Sequence, residues 1–233
     1  MATIGLIAGS YKPYHAGHAA IIVLAARECD EVHLYVSTSD RARPGELPIL
    51  GADMAQLWRT TIEQSLPKNV KVTYGGSPIG NVWKELGAAN EAKSQDDFVI
   101  FSDPVDLAQN FQEKLLNKYC GELYAHGNVR LRPVDRASTI EVSGTKMREF
   151  LASGDKENFI KFLPKNIDAD LIWDTLQKSA NELPSKPEKT ATQKPTAKKP
   201  VADPQKKAPT TTKKKPVKGE SLLRRYLNLL LHG

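Results

Sequence analysis

The stretch TIGLIAGSYKPYHAGH, residues 3–18, determines how the rest of the chain is interpreted. It begins with a short apolar segment typical of a buried strand, and helical spacing starts at residue 16. His15 and His18 lie at the start of that helix, three positions apart, so that they share one face. Helix N-termini attract anions, and imidazole N–H groups donate to phosphate oxygens. The stretch therefore predicts a phosphate site, although the same histidines would also serve as buried polar groups that satisfy the helix terminus.

The alternation that begins there continues along the chain. Apolar segments predict buried strands at 3–8, 31–38, 69–75 and 97–103. Segments with helical spacing alternate with them, at 16–29, 53–66, 80–93 and 105–118. This pattern predicts an α/β fold with a doubly wound, Rossmann-like parallel sheet. Because ligands bind such sheets at the carboxyl ends of the strands, we expect function in the loops that follow them.

Length and composition limit the kind of protein. The 233 residues are 40% hydrophobic and 26% charged, which suffices for one core of ordinary domain size. No apolar run reaches the roughly 18 residues that a transmembrane helix needs, and no basic segment precedes the apolar N-terminal stretch. We therefore expect a cytoplasmic protein with no membrane partner. Cys29 and Cys120 lie far apart in no metal-binding motif, so neither a disulfide scaffold nor a protein-built metal site is expected.

The net charge of +6 belongs to the C-terminal part of the chain. Residues 184–219 carry eleven lysines against Glu188 and Asp203, whereas residues 1–183 carry a net charge of −4. Residues 184–219 are rich in Lys, Pro and Thr and predict a disordered linker after a folded domain at 1–183. Residues 220–233 predict a short amphipathic helix, which would bind a protein or an assembly partner. Nucleic acid is expected as a partner only through the basic linker.

Two motifs resemble those of a known enzyme superfamily. The segment GSYKPYHAGH, residues 9–18, resembles the G-x-F-x-P-x-H-x-G-H signature of the HxGH nucleotidyltransferases, with tyrosines in place of the usual phenylalanines. The segment VSGTKMR, residues 142–148, resembles their second signature, I-S-x-T-x-x-R. The resemblance extends over residues 1–178 and is closest to the nicotinamide mononucleotide adenylyltransferase branch. Two motifs in the expected order are a more specific signal than either alone.

The resemblance implies a reaction and a set of site residues. A phosphate-bearing acceptor would attack the α-phosphorus of a nucleoside triphosphate, and pyrophosphate would leave. The catalytic residues would be His15, His18 and Arg148. The nucleotide-binding residues would be Gly9, Ser10, Tyr11, Gly17, Ser143, Gly144, Thr145 and Lys146. Mg²⁺ would be the cofactor, carried by the triphosphate more than by protein ligands.

The acceptor pocket is less evident in the sequence. Arg41 and Arg43 follow the second predicted strand, where two guanidinium groups would clamp an acceptor phosphate, and Asp103 follows the fourth, where it would meet a ribose hydroxyl. Three arginines before the second motif are further candidates for phosphate contacts: Arg130, Arg132 and Arg136. Trp58 or Trp83 would stack on a substrate ring, although core positions are favoured for both tryptophans.

Three functions remain open from the sequence. The favoured one transfers AMP from ATP to nicotinamide mononucleotide and makes NAD. A second is a CTP-dependent cytidylyltransferase that acts on a phosphorylated alcohol or sugar. A third is a binding or structural module, tethered by its tail to a larger assembly. A purely structural domain has no physical need for the set of His15, His18, Thr145 and Arg148, which favours an enzyme.

Overall fold

Five parallel strands form the central sheet of the protein. The computed structural model describes residues 1–43, 46–134 and 142–182. The strands are β1 (Thr3–Gly9), β2 (Glu31–Val36), β3 (Val70–Tyr74), β4 (Asp97–Ser102) and β5 (Val129–Pro133). Their order across the sheet is β3-β2-β1-β4-β5, and every neighbouring pair is parallel. The predicted doubly wound α/β fold is therefore confirmed.

Helices connect the strands and cover both faces of the sheet. They are α1 (Ala16–Glu28), α2 (Gly51–Leu57), α3 (Pro78–Glu91), α4 (Pro104–Asn110), α5 (Glu113–Ala125), α6 (Gly144–Ser153), α7 (Lys156–Lys161) and α8 (Ala169–Glu182). A π-helical turn, Trp58–Ile62, and a 3₁₀ turn, Glu63–Ser65, continue α2. No helix in the part of the chain that the structure describes is long and apolar enough to cross a membrane.

Alternation along the strands divides the apolar side chains into two cores. Leu34 and Phe101 face one side of the sheet, where they pack with α1 and the C-terminal helices. Tyr35 and Ile100, each one position away, face the other side, where α3, α4 and α5 cover them. This period of two follows from the pleat of the strands. Strands buried on both faces explain the nearly continuous apolar segments in the sequence.

Two predicted helices differ from those observed. The segment 53–66 is α-helical only to Leu57, because the backbone then widens into the π turn and tightens into the 3₁₀ turn. The segment 105–118 is two helices, since Phe111 leaves helical geometry at φ −124° and ψ 48° and Gln112 is extended. Hydrophobic spacing alone does not report such breaks, because the apolar side chains resume on the same face after them.

Strand β5 was not among the predicted strands. It is an edge strand in which Arg130 and Arg132 interrupt the apolar residues, and Pro133 ends it. Charged residues and proline are common at sheet edges, where they discourage pairing with another chain. The apolar signal of β5 is correspondingly weak.

The predicted linker at 184–219 and the predicted helix at 220–233 lie outside the described residues, so both stay predictions. The two cysteines are buried thiols, Cys29 in the core on one side of the sheet and Cys120 in the core on the other. The sheet separates them.

A histidine between two carboxylates joins β2 to α3. His33 Nδ1 lies 2.6 Å from Glu85 Oε1, and its Nε2 bonds Glu31, which also pairs with Lys71 of β3. Tyr35 donates to the other oxygen of Glu85. Carboxylate oxygens on both ring nitrogens favour the imidazolium form of His33, in which both nitrogens donate. The bond to Glu85 is the main cause that raises the pKa of His33; burial opposes it and Glu31 adds to it.

This network predicts a stability difference that depends on pH. A pKa raised by folding stabilises the protein fully below the unfolded value, near pH 6.5, and the contribution disappears as pH rises through the folded pKa. We expect His33→Gln to lower the free energy of unfolding by about 1 kcal/mol at pH 6 and by much less at pH 9. Urea denaturation at the two pH values measures this, with the exposed His126→Gln as the control. An equal loss at both pH values would contradict the ionic origin.

Candidate functional site

The candidate site lies at the carboxyl ends of β1 and β4, where the chain reverses its direction of winding across the sheet. A pocket of about 140 Å³ opens there. Its lining includes Gly9 and Ser10 at the end of β1, His18 of α1, Ser102 at the end of β4 and Asp106 of α4. Small-molecule pockets usually begin near roughly 300 Å³, so this one encloses only part of a nucleotide. The position agrees with the general rule for ligand sites in open parallel sheets.

The two histidines stack on each other but have different environments. Their ring centroids are 3.7 Å apart at an interplanar angle of 27°. His18 is partly exposed and lines the pocket, whereas His15 is 0% exposed. His15 Nδ1 accepts from the backbone N–H of Gly17 at 3.1 Å. A ring nitrogen that accepts carries no proton, so this contact favours the His15 tautomer with its proton on Nε2. His18 is therefore the histidine that a ligand meets.

The backbone at the start of α1 does not present the anion site that the sequence predicts. Ala16 N donates to Phe162 O at 2.8 Å, Gly17 N donates to His15, and His18 N donates to His15 O at 2.9 Å. These bonds use the first amides of the helix within the protein. A phosphate at this place must be held by side chains, because the helix N-terminus is already capped.

Two positions of the first motif require glycine because an aromatic ring lies close to the backbone at each of them. A β-carbon at Gly9 would lie 2.8 Å from the Tyr11 ring, and one at Gly17 would lie 3.0 Å from the His15 ring. Their role is to let these rings lie against the backbone, which positions His18. Tyr11 itself is 4% exposed and packs edge-on against His18, with a centroid distance of 4.9 Å. It acts as a wall of the pocket.

Neither tryptophan is placed to stack on a substrate ring. Trp58 is 0% exposed and packs edge-on against Tyr11 and Tyr14. Trp83 lies on the other side of the sheet, where it contacts Phe111 and Tyr119. The core positions favoured from the sequence agree with this arrangement.

The second motif forms the start of α6. Ser143 caps this helix, its Oγ accepting from Lys146 N at 3.2 Å. Among the hydrogen bonds between described residues, none uses the amides of Gly144 or Thr145. The N-terminus of α6 therefore fits an anion better than that of α1. The Lys146 ammonium lies 5.6 Å from the centre of the Phe162 ring and 6.0 Å from that of Phe150.

Arg148 joins the second motif to the first. Its side chain is buried, and Nη1 donates to the backbone carbonyl of Lys12 at 3.0 Å, although the two residues are 136 positions apart. Nη2 donates to Thr145 Oγ1 at 3.0 Å. A β-carbon at Gly144 would lie 3.1 Å from Nη1, so glycine allows this placement. The fold thus brings the two predicted motifs into direct contact.

Lys12 is a further candidate site residue, which the sequence analysis did not predict. Its side chain lies between the ends of β1 and β2, where Nζ donates to Ser37 O at 2.6 Å and to Ser10 O at 3.3 Å. Burial lowers the pKa of the Lys12 ammonium to about 8; Asp40 raises it and Arg41 lowers it further. Its position in the sequence was the signal that could have identified it, because Lys12 lies between Gly9 and His15 in the loop that follows the central strand.

The loop after β2 holds one of the two arginines in an ion pair. Arg41 donates to Glu46 through Nε at 2.9 Å and through Nη2 at 3.1 Å. Glu46 also contacts Arg148, at 3.3 Å from Nη2 and 3.2 Å from Nε. Arg43 is exposed. The structure therefore places Arg41 beside the second motif, with a carboxylate between the two guanidinium groups.

Other predicted contacts are engaged elsewhere. The Asp103 carboxylate caps α4 by accepting from Asp106 N at 2.8 Å, and it is Asp106 that lines the pocket. Arg130 pairs with Asp97 at 3.5 Å, and Arg132 forms two hydrogen bonds to Glu28. Neither arginine faces the pocket lining. Arg136 lies outside the described residues.

The described part of the site contains no cluster of side chains that could bind a metal ion by themselves. No group of three or more His, Cys, Asp or Glu side chains that could hold a metal ion is found among the described residues. The nearby carboxylates of Asp40 and Glu46 are bonded to Gly51 N and to the arginines. The Mg²⁺ that the resemblance implies, carried by the triphosphate, stays a prediction.

The fold and site define a doubly wound α/β protein with a histidine-containing pocket at the point where strand order reverses. No family model matches the chain, and no curated protein matches it. Among solved structures it is similar to Thermotoga maritima TmcAL in a crystal structure bound with alpha-thio ATP, with 15% identity and a TM-score of 0.44. The match covers 78% of this chain and 56% of that one, so the chain spans just over half the length of that protein.

Proposed function

We propose that the protein is a nucleotidyltransferase that transfers a nucleoside monophosphate from a triphosphate to a phosphate-bearing acceptor. One observation carries the proposal: the Arg148 Nη1 donates to the carbonyl of Lys12, so that the second motif closes against the loop of the first. This contact places a guanidinium group and the start of α6 beside the loop that ends in His15 and His18. The likeness of residues 9–18 and 142–148 to the HxGH signatures supports the same reading.

The chemistry needs positioned positive charge and no covalent intermediate. An oxygen of the acceptor phosphate attacks the α-phosphorus, the bond from that phosphorus to the bridging oxygen breaks, and pyrophosphate leaves with the bonding electrons. His18, which lines the pocket, would donate to the α-phosphate as charge develops there. His15 would act as a positioning residue for His18 through the stacked rings.

The pyrophosphate end would lie against the second motif. Arg148, Thr145 and the amides at the start of α6 would hold the β- and γ-phosphates, with the Ser143 hydroxyl beside them. Lys12 adds a buried positive charge between the ends of β1 and β2. The Arg43 guanidinium group would hold the acceptor phosphate, and Arg41, which shares the Glu46 carboxylate with Arg148, would lie between the acceptor and the triphosphate. Mg²⁺ would enter with the triphosphate, as part of the substrate.

The proposed substrates are ATP and nicotinamide mononucleotide, with NAD and pyrophosphate as products. We expect the purified full-length chain to form NAD and release an equal amount of pyrophosphate from these substrates with Mg²⁺, and to use CTP poorly. Chromatography of the nucleotides with a coupled pyrophosphate assay measures both products. Pyrophosphate released only from CTP with a phosphorylated alcohol or sugar would replace this proposal by a cytidylyltransferase. No release from any triphosphate and acceptor pair would favour a binding module.

A further inference from the structure

We propose that the Glu46 carboxylate is an internal competitor for a phosphate site formed by Arg148 and Arg41. In the protein without ligand, Glu46 occupies the edges of the two guanidinium groups, and a nucleotide phosphate displaces it. This inference rests on the proposed function, because it concerns how the same site exchanges an internal anion for a ligand.

The contacts of Glu46 resemble those of a bound anion. Arg41 donates to it through Nε at 2.9 Å and Nη2 at 3.1 Å, which is the bidentate geometry that arginine offers to carboxylates and phosphates. The Arg148 Nη2 and Nε lie 3.3 Å and 3.2 Å from its two oxygens. One carboxylate thus bridges the guanidinium group of Arg41, in the loop after β2, and that of Arg148, in the second motif.

Arg148 cannot bind a phosphate through this edge while Glu46 holds it. Its side chain is 7% exposed, and the remaining contacts of Nη1 and Nη2 go to Lys12 O and Thr145 Oγ1. Burial lowers the pKa of Arg148, with Arg41 contributing and Glu46 opposing. A phosphate that binds this edge of Arg148 must therefore take the place of the carboxylate.

Glu46 is able to leave without disturbing the arginines. Its side chain is 25% exposed, so it can rotate into solvent. The Arg41 backbone stays in place because it forms two hydrogen bonds with Ile49, at 2.9 Å and 2.8 Å. Arg148 stays because the Lys12 carbonyl and Thr145 hydroxyl hold it. A triphosphate offers more negative charge and more acceptor oxygens than one carboxylate, which favours the exchange.

Glu46→Gln tests the competition because glutamine keeps the size of the side chain and removes its charge. An internal competitor lowers apparent affinity by the fraction of molecules in which the site is open. We expect Glu46→Gln to bind Mg–ATP, and inorganic tripolyphosphate as a base-free probe, about three- to tenfold more tightly than the wild type. Isothermal titration calorimetry on the full-length chain measures both dissociation constants.

Glu149→Gln is the matched control. Glu149 is exposed on α6 next to Arg148, so this change removes the same charge from the same helix and leaves the Glu46 bridge intact. We expect its dissociation constants to stay within about twofold of the wild type, because salt screens exposed charges. Thermal unfolding of each variant reports whether the fold is retained, and Glu46→Ala provides a second test if Glu46→Gln does not fold.

The outcomes separate this inference from the proposed function. Wild-type binding of ATP with equal or weaker binding by Glu46→Gln and Glu46→Ala would overturn the competition, and would assign Glu46 to holding the arginines in their binding geometry. Equal tightening by Glu149→Gln would reduce the effect to net charge and overturn it as well. No binding of ATP or tripolyphosphate by the wild type would overturn the proposed function and this inference together.

Discussion

His18→Ala is expected to lower kcat for nucleotidyl transfer by about a hundredfold, equivalent to roughly 3 kcal/mol of transition-state stabilisation. His18 lines the pocket at the end of β1, while its neighbour His15 is fully buried. Loss of the His18 imidazole removes a donor from the place where charge develops and leaves the helix cap intact. Steady-state kinetics with ATP and acceptor measure the effect, and thermal unfolding should show little change.

Two comparison variants make this result specific. His126→Ala removes an exposed histidine at the end of α5 and should leave both kcat and the melting temperature unchanged. His15→Ala removes the side chain that caps α1, so it should also destabilise the protein by about 1 kcal/mol. Near-normal turnover by a folded His18→Ala protein would exclude the proposed role of this histidine.

Gly51→Ala is expected to destabilise the protein by more than about 3 kcal/mol, the upper part of the range for overpacking. A β-carbon at Gly51 would lie 1.8 Å from the carbonyl oxygen of Thr38. The carbonyl oxygen belongs to the backbone and the β-carbon is fixed to it, so no side-chain rotation relieves the overlap. The segment between β2 and α2 would have to move, together with Arg41 and Glu46. Chemical denaturation measures the free energy of unfolding.

Gly87→Ala is the matched control for this prediction. Gly87 lies inside α3, and a β-carbon there would lie 3.7 Å from the nearest atom outside its own helix, the Tyr119 carbonyl oxygen. Alanine in such a helix position is expected to be neutral or to stabilise by about 0.5–1 kcal/mol. Equal stabilities of the Gly51 and Gly87 variants would show that the Thr38 contact relaxes at no cost.

The sequence predicted four strands and a doubly wound parallel sheet because buried parallel strands are apolar on both faces. It missed β5, whose edge position tolerates Arg130 and Arg132. It also predicted a single helix at 105–118, where Phe111 and Gln112 leave helical geometry. Both differences arise from local signals that are weak, because an edge strand and a short break bury little apolar surface.

The predicted site residues also divide into those whose arrangement follows from the local sequence and those whose contacts depend on distant residues. His18, Gly17 and Gly9 belong to one local loop, and their arrangement follows from a strand, a turn and a helix start. The capping of α1 by Phe162 O depends on a residue far along the chain. This contact uses one of the backbone donors that the local pattern had assigned to a phosphate, and His15 uses the next two.

By itself, the sequence determined the alternation of strands and helices, the position of the histidine loop behind the central strand, and the glycines that permit close approach of its rings. These are properties of neighbouring residues, which obey local periodicity and steric limits. Only the tertiary structure decided that Arg148 meets the Lys12 carbonyl, that Lys12 is buried between two strand ends, and that Glu46 bridges the two arginines. Contacts between residues 25 to 136 positions apart depend on how the helices pack on the sheet, and no local pattern carries that information.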